Sequence, residues 1–357
     1  MRGERRTDMK VAVYNGIKNI TIENREKPVA GPDDFILKVK AAALCGSDLR
    51  TYLHGHPKIT PPQVLGHEFA GVVDSVGKNI KGVKVGDRVS VHPGIPCGHC
   101  YYCERGQQNM CENRKQIGTH YQGAFGEYVL IPGKTLEVGT VVKIPEDCSY
   151  EVAALGDPLV SAMNGQEVVG TKMGDIVLIL GSGPIGIFHA MLSKLRGAQD
   201  VILANPSPGR LQYAKEHNIA DHYYCINEGT DFRGYIDSLT EGRGADVVIV
   251  ANTSVKSACQ AVELVAKNGK VLLFAGFPKE APQLGLDGNL IHYNQIRVMG
   301  SLGSTPRQYQ MAEKLLFSRK IDGELLITHR IPLEKINEGF QLMIDGKSLK
   351  VIINKFD

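Results

Sequence analysis

The sequence predicts an α/β protein of two parts, one β-rich and one built on a doubly wound parallel sheet. Three observations carry this. The first ~90 residues contain short apolar runs punctuated by Gly, Pro and Asp. From Asp175 on, continuous apolar runs alternate with helical stretches. The length, 357 residues, matches about two domains at roughly 150 residues each.

In the β-rich part, residues 35–40 (Phe-Ile-Leu-Lys-Val-Lys) and 69–73 (Phe-Ala-Gly-Val-Val) read as strands, and 85–91 continues the rhythm. Met9 begins the earliest alternation, so residues 1–8 are expected to be a disordered extension or an early start. Residues 176–180 (Ile-Val-Leu-Ile-Leu) are apolar throughout, as suits a parallel strand buried on both faces. A helix is expected from Ile185 to about Arg196, then a strand over 201–204 and a helix over 210–217. Strand 247–250, helix 255–266 and strand 270–274 repeat the alternation. A last helix covers 306–317, and the closing strand, 350–353, is expected to return to the first part. The expected domains are 1–160 with 300–357, and 161–299.

Composition excludes several classes. A hydrophobic fraction of 43% with 22% charged residues is too apolar for disorder. The formal charge of +3 gives no footprint for nucleic acid or an anionic membrane. Forty glycines without a period are not collagen. The longest uncharged run, 176–193, is interrupted by Gly181, Gly183, Pro184 and Gly186, so no spanning helix is expected. The N-terminus lacks an apolar signal core, which argues against export.

Four of the eight cysteines fall together, as Cys97, Cys100, Cys103 and Cys111. A disulfide framework would spread them through a small secreted domain; this cluster points to metal in a reducing, cytoplasmic setting. The C-x2-C-x2-C-x7-C spacing can close four thiolates around one ion, leaving no open position. We read a structural zinc pinning a lobe at about 95–113. An iron–sulfur cluster is the rival, but the Cys-Pro continuation of ferredoxins is absent. Cys148, Cys225 and Cys259 stand alone and read as buried small residues.

Gly181-Ser182-Gly183-Pro184-Ile185-Gly186 is a G-x-G-x-x-G between a strand and a helix. Its glycines suit a tight turn, close approach of a pyrophosphate and close helix–strand packing, and the helix N-terminus supplies unpaired N–H groups. The acidic residue usual about 20 positions on is missing, and Asn205 stands at the end of the second strand. Asn205 can hydrogen-bond a ribose 2′-OH without repelling a 2′-phosphate. Ser207 and Arg210 lie just beyond; Arg210 alone reads better as an ordinary solvated helix residue than as a phosphate contact.

Cys45-Gly46-Ser47-Asp48 is followed, 22 residues after Cys45, by Gly66-His67-Glu68. Thiolate and imidazole together suit a zinc with fewer than four strong protein ligands. Glu68 can coordinate directly or act from behind the ligands. Asp157, in Gly156-Asp157-Pro158-Leu159, is a further acidic candidate or a turn residue.

With these motifs in order, the chain from about Met9 to Asp357 resembles the zinc-containing medium-chain dehydrogenase/reductase family. Gly77 and Val85-Gly86-Asp87-Arg88-Val89 add to the likeness, which is greatest for the polyol and threonine dehydrogenase branch. The resemblance implies a GroES-like catalytic domain, a Rossmann domain, and a homodimer or homotetramer. It implies two zinc ions per chain, one catalytic and one structural, and NAD or NADP as cofactor. It places the catalytic zinc on Cys45 and His67, with Glu68 and Asp157 exchanging with water or substrate. Asp157 departs from the Glu common before Pro-Leu in polyol enzymes, and Asn205 from their usual Asp. Ser47 takes the position of the hydroxyl that accepts the alcohol proton, or is a turn residue. The candidate cofactor contacts are Gly181, Gly183, Pro184, Ile185, Gly186, Asn205, Arg210, Ala251, Ala275 and Ser301.

The activity implied is reversible oxidation of a secondary alcohol, with hydride passing to the nicotinamide. The polar stretch Leu49–His56, with Arg50, Tyr52, His54 and His56, is expected to face a polyhydroxylated substrate: a sugar alcohol, cyclitol or sugar phosphate. L-threonine is the second choice. A catalytically silent relative is the non-enzymatic alternative, which the retained Cys45 and His67 disfavour. A nucleic-acid-binding ribbon is disfavoured because Lys and Arg do not cluster on the lobe.

Overall fold

Strand Ile176–Leu180 is buried at every position, because a central parallel strand is covered by helices on both faces. It lies in a six-stranded sheet whose order is 222–225, 200–205, 176–180, 245–250, 265–273, 297–300. All these pairs are parallel, and the order reverses at 176–180. That is the doubly wound arrangement of a dinucleotide-binding fold, whose ligands bind beyond the carboxyl ends of the strands where the order reverses. Helix Pro184–Leu195 opens with proline at its first position, where the missing N–H costs nothing.

The computed structural model describes residues 8–278 and 280–356. The chain forms two units: residues up to Val160 with those from Ser304 on, and Ser161–Gly303. Of the N-terminal extension expected over 1–8, residues 1–7 lie outside the described residues, and Asp8 already opens the first strand, Asp8–Gly16.

In the first unit a sheet runs 141–143, 88–91, 68–76, 34–43, 350–355, 327–332, with 128–132 also pairing 34–43. The closing strand does return here: it is antiparallel to 34–43 and parallel to 327–332. Phe35, Leu37, Phe69, Phe125, Phe340 and Val351 are among the residues of its core. No helix among the described residues is long and apolar enough to cross a membrane.

Two local expectations change. The stretch from Leu49 lies largely in a helix, Gly46–His54, and Tyr52 stacks on Phe340 (centroids 4.9 Å, 3° between planes). Its ring is therefore committed to packing rather than to substrate. Of the lone cysteines Cys148 is buried, but Cys225 and Cys259 are only partly so. Cys225 ends the outermost strand of its sheet, which has a strand neighbour on one side among the described residues.

Candidate active site

The reactive cluster forms where three strands of the first unit meet. Glu68 opens strand 68–76 and pairs with Ala43, the last residue of strand 34–43. Cys45 lies two residues beyond Ala43 and caps helix Gly46–His54. Ile352 pairs with Ala43 from the other side, so Lys350 begins its strand beside the same corner. Residues distant in sequence thus converge because their strands are neighbours in register.

Cys45, His67 and Glu68 each offer a donor atom within 4.8 Å of the others. A mixed S, N, O set of three matches a zinc site that keeps a position for substrate. His67 is gripped on both sides, Nδ1 3.3 Å from Asp48 Oδ1 and Nε2 3.3 Å from Ser47 Oγ. Asp48 also accepts the Cys45 backbone N–H at 3.1 Å, so one carboxylate orients both residues. Glu68 is fully buried, and one of its oxygens accepts a hydrogen bond from Lys350 Nζ, itself buried. The other oxygen, Oε1, has no partner among the described residues. A buried carboxylate oxygen without a partner is costly unless a cation takes it, and the cluster fits zinc on that ground.

The donors and their supports also act on one another's charge. Desolvation would raise the Cys45 thiol, yet His67 and Lys350 outweigh it and bring it down to about 6. Desolvation would lower the His67 imidazole, but Asp48 and Cys45 carry it well above its usual range. Burial raises Glu68 well above the carboxylate range against the pull of Lys350.

Asp157 stands outside the trio of donors. It lies in the first turn of helix Gly156–Val169, with Oδ1 3.7 Å from His92 Nε2. Burial pushes its carboxyl up to about 6, opposed chiefly by His67. His92 also shares a 2.9 Å hydrogen bond with Ser304 Oγ, and burial lowers its imidazole to about 3. It is therefore a neutral ring beside the acid.

The second donor group is Cys97, Cys100, Cys103 and Cys111, again within 4.8 Å of one another. The Cys97 and Cys103 sulfurs are 4.0 Å apart, near the ~3.8 Å edge of a tetrahedron with zinc–sulfur bonds of about 2.3 Å. The Cys97 amide donates to Cys111 Sγ at 3.2 Å, and amides of Cys103 and Glu112 bring Cys100 down to about 6. The pairing of Gly94–Ile95 with Lys115–Gln116 closes the base of the lobe. These four thiols fit a structural zinc.

In the second unit the glycine turn is tight. Gly181 has φ +121°, in the region that favours glycine. A Cβ at Gly186 would lie 1.8 Å from the Gly181 carbonyl oxygen, so helix and strand touch there. A Cβ at Gly183 would meet only Arg210 Nη1, at 3.8 Å; the space in front of it is open to a phosphate. Pro184 and Ile185 begin the helix. Ala251, Ala275 and Ser301 follow the fourth, fifth and sixth strands of the fold at the same edge. Ser301 Oγ is buried without a partner among the described residues. Asn205 ends its strand, accepts the Ser182 N–H at 3.3 Å and donates to Ser207 O and Oγ at 2.9 and 3.1 Å. These residues fit a dinucleotide.

Residues 31–146 match the family described as alcohol dehydrogenase GroES-like domain, and 184–318 that described as zinc-binding dehydrogenase. An L-threonine 3-dehydrogenase of Pyrococcus furiosus is 35% identical over 91% of this chain and 92% of its own length. The chain belongs to the zinc-containing medium-chain dehydrogenase/reductase family. A sorbitol dehydrogenase of Halalkalibacterium halodurans is 29% identical over 97% of this chain and 99% of its own. Among solved structures, a zinc-binding dehydrogenase of Sinorhizobium meliloti bound to NADP is 30% identical, with TM-score 0.89 over 98% and 100% of the two chains. As a medium-chain dehydrogenase this protein is a zinc-dependent, NAD(P)-using alcohol oxidoreductase, and its fold is the GroES-like and Rossmann pair expected.

Three residues around the site carry no role in the sequence reading: Asp48, Lys350 and His92. Asp48 had a visible signal, a carboxylate three residues after Cys45 at a helix start. Lys350 opening a buried apolar strand was a weaker one. His92 had none.

Proposed function

We propose that this dehydrogenase reversibly oxidises a secondary alcohol of a polyol, cyclitol or sugar, phosphorylated or not. The observation that carries this is the donor set of Cys45, His67 and Glu68, with a carboxylate rather than a second thiolate. A harder, more polar set suits a hydrophilic substrate. Zinc held there would supply a Lewis acid that acidifies the substrate hydroxyl. Asp48 fixes the His67 ring and Lys350 fixes the Glu68 carboxylate, and Oε1 would help to hold the metal. Asp157, oriented by His92, exchanges with water or substrate. Ser47 Oγ receives the alcohol proton and hands it outward.

Gly181, Gly183 and Gly186, with Pro184 and Ile185, hold the pyrophosphate. Asn205 and Arg210 meet the adenosine ribose, and Ala251, Ala275 and Ser301 line the rest of the nucleotide. The missing acid at Asn205 supports use of both cofactors, leaning slightly to NAD. We further propose a cytoplasmic homodimer or homotetramer, which the clustered free thiols and the family support.

The test is a panel of polyols, cyclitols and their phosphates, scored by reduced cofactor at 340 nm with NAD and NADP. L-threonine belongs in that panel, because the Pyrococcus furiosus relative is named for it. Turnover of L-threonine alone would replace the polyol reading.

A further inference from the structure

Asp157 is bracketed by a single helix of the first unit, Pro306–Phe317. Tyr309 and Glu313 lie four residues apart on the buried face of that helix, so their side chains are neighbours. Both press on Gly156, the residue before Asp157: a Cβ there would fall 2.1 Å from Glu313 Oε1 and 2.8 Å from Tyr309 Cε2. Gly156 does not have positive φ, so glycine serves here to admit these two side chains. Glu313 is fully buried, facing the Ser90 and Tyr309 hydroxyls. Enclosing a carboxyl has a cost, and an apolar side chain of the same size would fill the space without it.

The same helix also fixes the ring that faces the Asp157 carboxylate. Its start is capped from both directions: the Thr305 N–H donates to Gln308 Oε1 at 2.9 Å, and the Gln308 N–H to Thr305 Oγ1 at 3.3 Å. Ser304, immediately before the cap, shares the 2.9 Å hydrogen bond with His92 Nε2. Tyr309 meets the His92 ring edge-on, with centroids 5.1 Å apart. His92 Nε2 in turn lies 3.7 Å from Asp157 Oδ1. One element therefore sets both the backbone before Asp157 and the ring beside its carboxylate. Asp157 is not one of the three mutually close donors, and 17% of its side chain stays exposed against 1% for His92. The carboxylate thus keeps an open face, while the ring that holds it does not.

We infer that Tyr309 and Glu313 are positioning residues that hold Asp157 against His92, apart from the three donors, so that its carboxylate accepts a second hydroxyl of the substrate. A carboxylate fixed in place has no ordering left to lose when the substrate arrives, whereas a loose one forms the same hydrogen bond at a cost. This rests on the polyol reading and on the part proposed above for Asp157, and it assigns that residue to the substrate rather than to the metal.

Two measurements on the zinc-loaded enzyme test this. In nitrogen-15 histidine NMR the His92 ring signal, identified by its loss in His92→Gln, should move in Glu313→Leu and in Tyr309→Leu. It should stay in Leu316→Ala, which empties a buried position of the same helix that packs on Gly323 instead. In kinetics with sorbitol, or with the best polyol of the panel, Glu313→Leu and Asp157→Asn should each raise the alcohol KM by ~10-fold, the worth of one hydrogen bond to a charged group. Values of kcat and of the cofactor KM should stay within about 3-fold. The double variant should be no worse than Asp157→Asn alone, because both changes remove one contact. Glu313→Gln, which keeps the shape of the side chain, should restore the alcohol KM, and Leu316→Ala should lower Tm without raising it. Where Glu313→Leu does not fold, Gly156→Ala disturbs the same contact from the other side and takes its place. An alcohol KM unchanged in these variants, whether or not the His92 signal moves, would overturn this inference and leave the polyol reading standing. Loss of the catalytic zinc in Asp157→Asn would make Asp157 a metal ligand and overturn it as well. The expected His92 shifts, with no polyol oxidised, would keep the placement of Asp157 and overturn the polyol reading.

Discussion

The two units solve recognition in opposite ways. The first gathers side chains: a thiol, two imidazoles, three carboxylates and a lysine come together, from positions between 45 and 350. The second uses almost none: its site is a glycine turn, a helix start and the ends of strands. A side-chain site fails through lost chemistry, while a backbone site fails through lost space. Substitutions should separate the two.

The largest effect is expected in the first unit. Cys45→Ser should lower kcat/KM by roughly 10³-fold or more, since metal chemistry contributes several kcal/mol to the barrier. It should reduce metal content from two ions per chain to one with little change in Tm. Cys103→Ser should do the reverse, lowering Tm and yield because a closed four-thiolate site is part of folding. Metal analysis, Tm and kinetics on both proteins check this. Equal loss of Tm, with activity falling only as the folded fraction falls, contradicts the division of roles.

The matching test in the second unit uses neighbouring glycines. Gly186→Ala would put a carbon 1.8 Å from the Gly181 oxygen, so backbone must move. A cost of about 3 kcal/mol, or a Tm fall on the order of 10 °C, is expected. Gly183→Ala meets nothing closer than 3.8 Å and should fold normally. It should raise the cofactor KM by ~10-fold or more, because the methyl group occupies the phosphate's approach. Thermal melts and cofactor titrations distinguish them; similar Tm losses in both would mean that the turn is not a phosphate cradle.

Alkali should also act on one unit before the other. Glu313 is fully buried in the first unit, and burial pushes its carboxyl up to about 8, against the Ser90 and Tyr309 hydroxyls. The folded state therefore keeps a proton that the unfolded chain releases above its ordinary value of 4.5. Its stabilising effect is complete below that value and is lost as pH rises to about 8, at about 1.4 kcal/mol per pH unit. His189, fully buried in the second unit against Gln166 and edge-on to Phe274, is lowered by burial to about 3. Its effect is complete above the ordinary 6.5 and is lost as pH falls toward about 3. Hydrogen exchange should show the first unit loosening first above neutrality, whereas acid loads both units, since His92 of the first is lowered by burial to about 3 as well. Glu313→Gln should remove the alkaline slope, and an unchanged slope would assign it elsewhere.

The same contrast explains what was legible beforehand. A backbone site demands glycines at fixed spacing, so Gly181, Gly183 and Gly186 could be read as a unit. A closed zinc lobe draws its ligands from one short stretch, and its cysteines were equally plain. Cys45 and His67 were recognisable only through the family order of motifs. Their supports were harder still: Lys350 reaches Glu68 across 282 positions, a contact that exists only because strand 350–355 inserts beside 34–43. Glu313 depends on Gly156 for its place, and neither residue announces the other. Polarity alone misled at Tyr52, whose ring packs on Phe340 because helix Gly46–His54 turns it inward.

The smallest effect tests whether any side chain matters in the backbone site. Asn205 stands where an aspartate would accept both ribose hydroxyls and repel a 2′-phosphate. Its Oδ1 already accepts the Ser182 N–H, and an aspartate oxygen can do the same. Its Nδ2 donates to Ser207 O and Oγ, and there an aspartate oxygen would face a carbonyl. Asn205→Asp thus loses a donor, gains a charge, and presents that charge at the end of the second strand. Like charges at a binding site cost on the order of 1.4 kcal/mol, so the NAD:NADP ratio of kcat/KM should rise by at least ~10-fold. Arg210 limits the gain, because its Nη1 comes within 3.8 Å of where a Cβ on Gly183 would sit, close to the approach of a phosphate. Measuring both cofactors in both proteins decides it. A ratio that does not move would mean that Asn205 serves the Ser182–Ser207 turn alone, and that the second unit reads its cofactor without a side chain at this position.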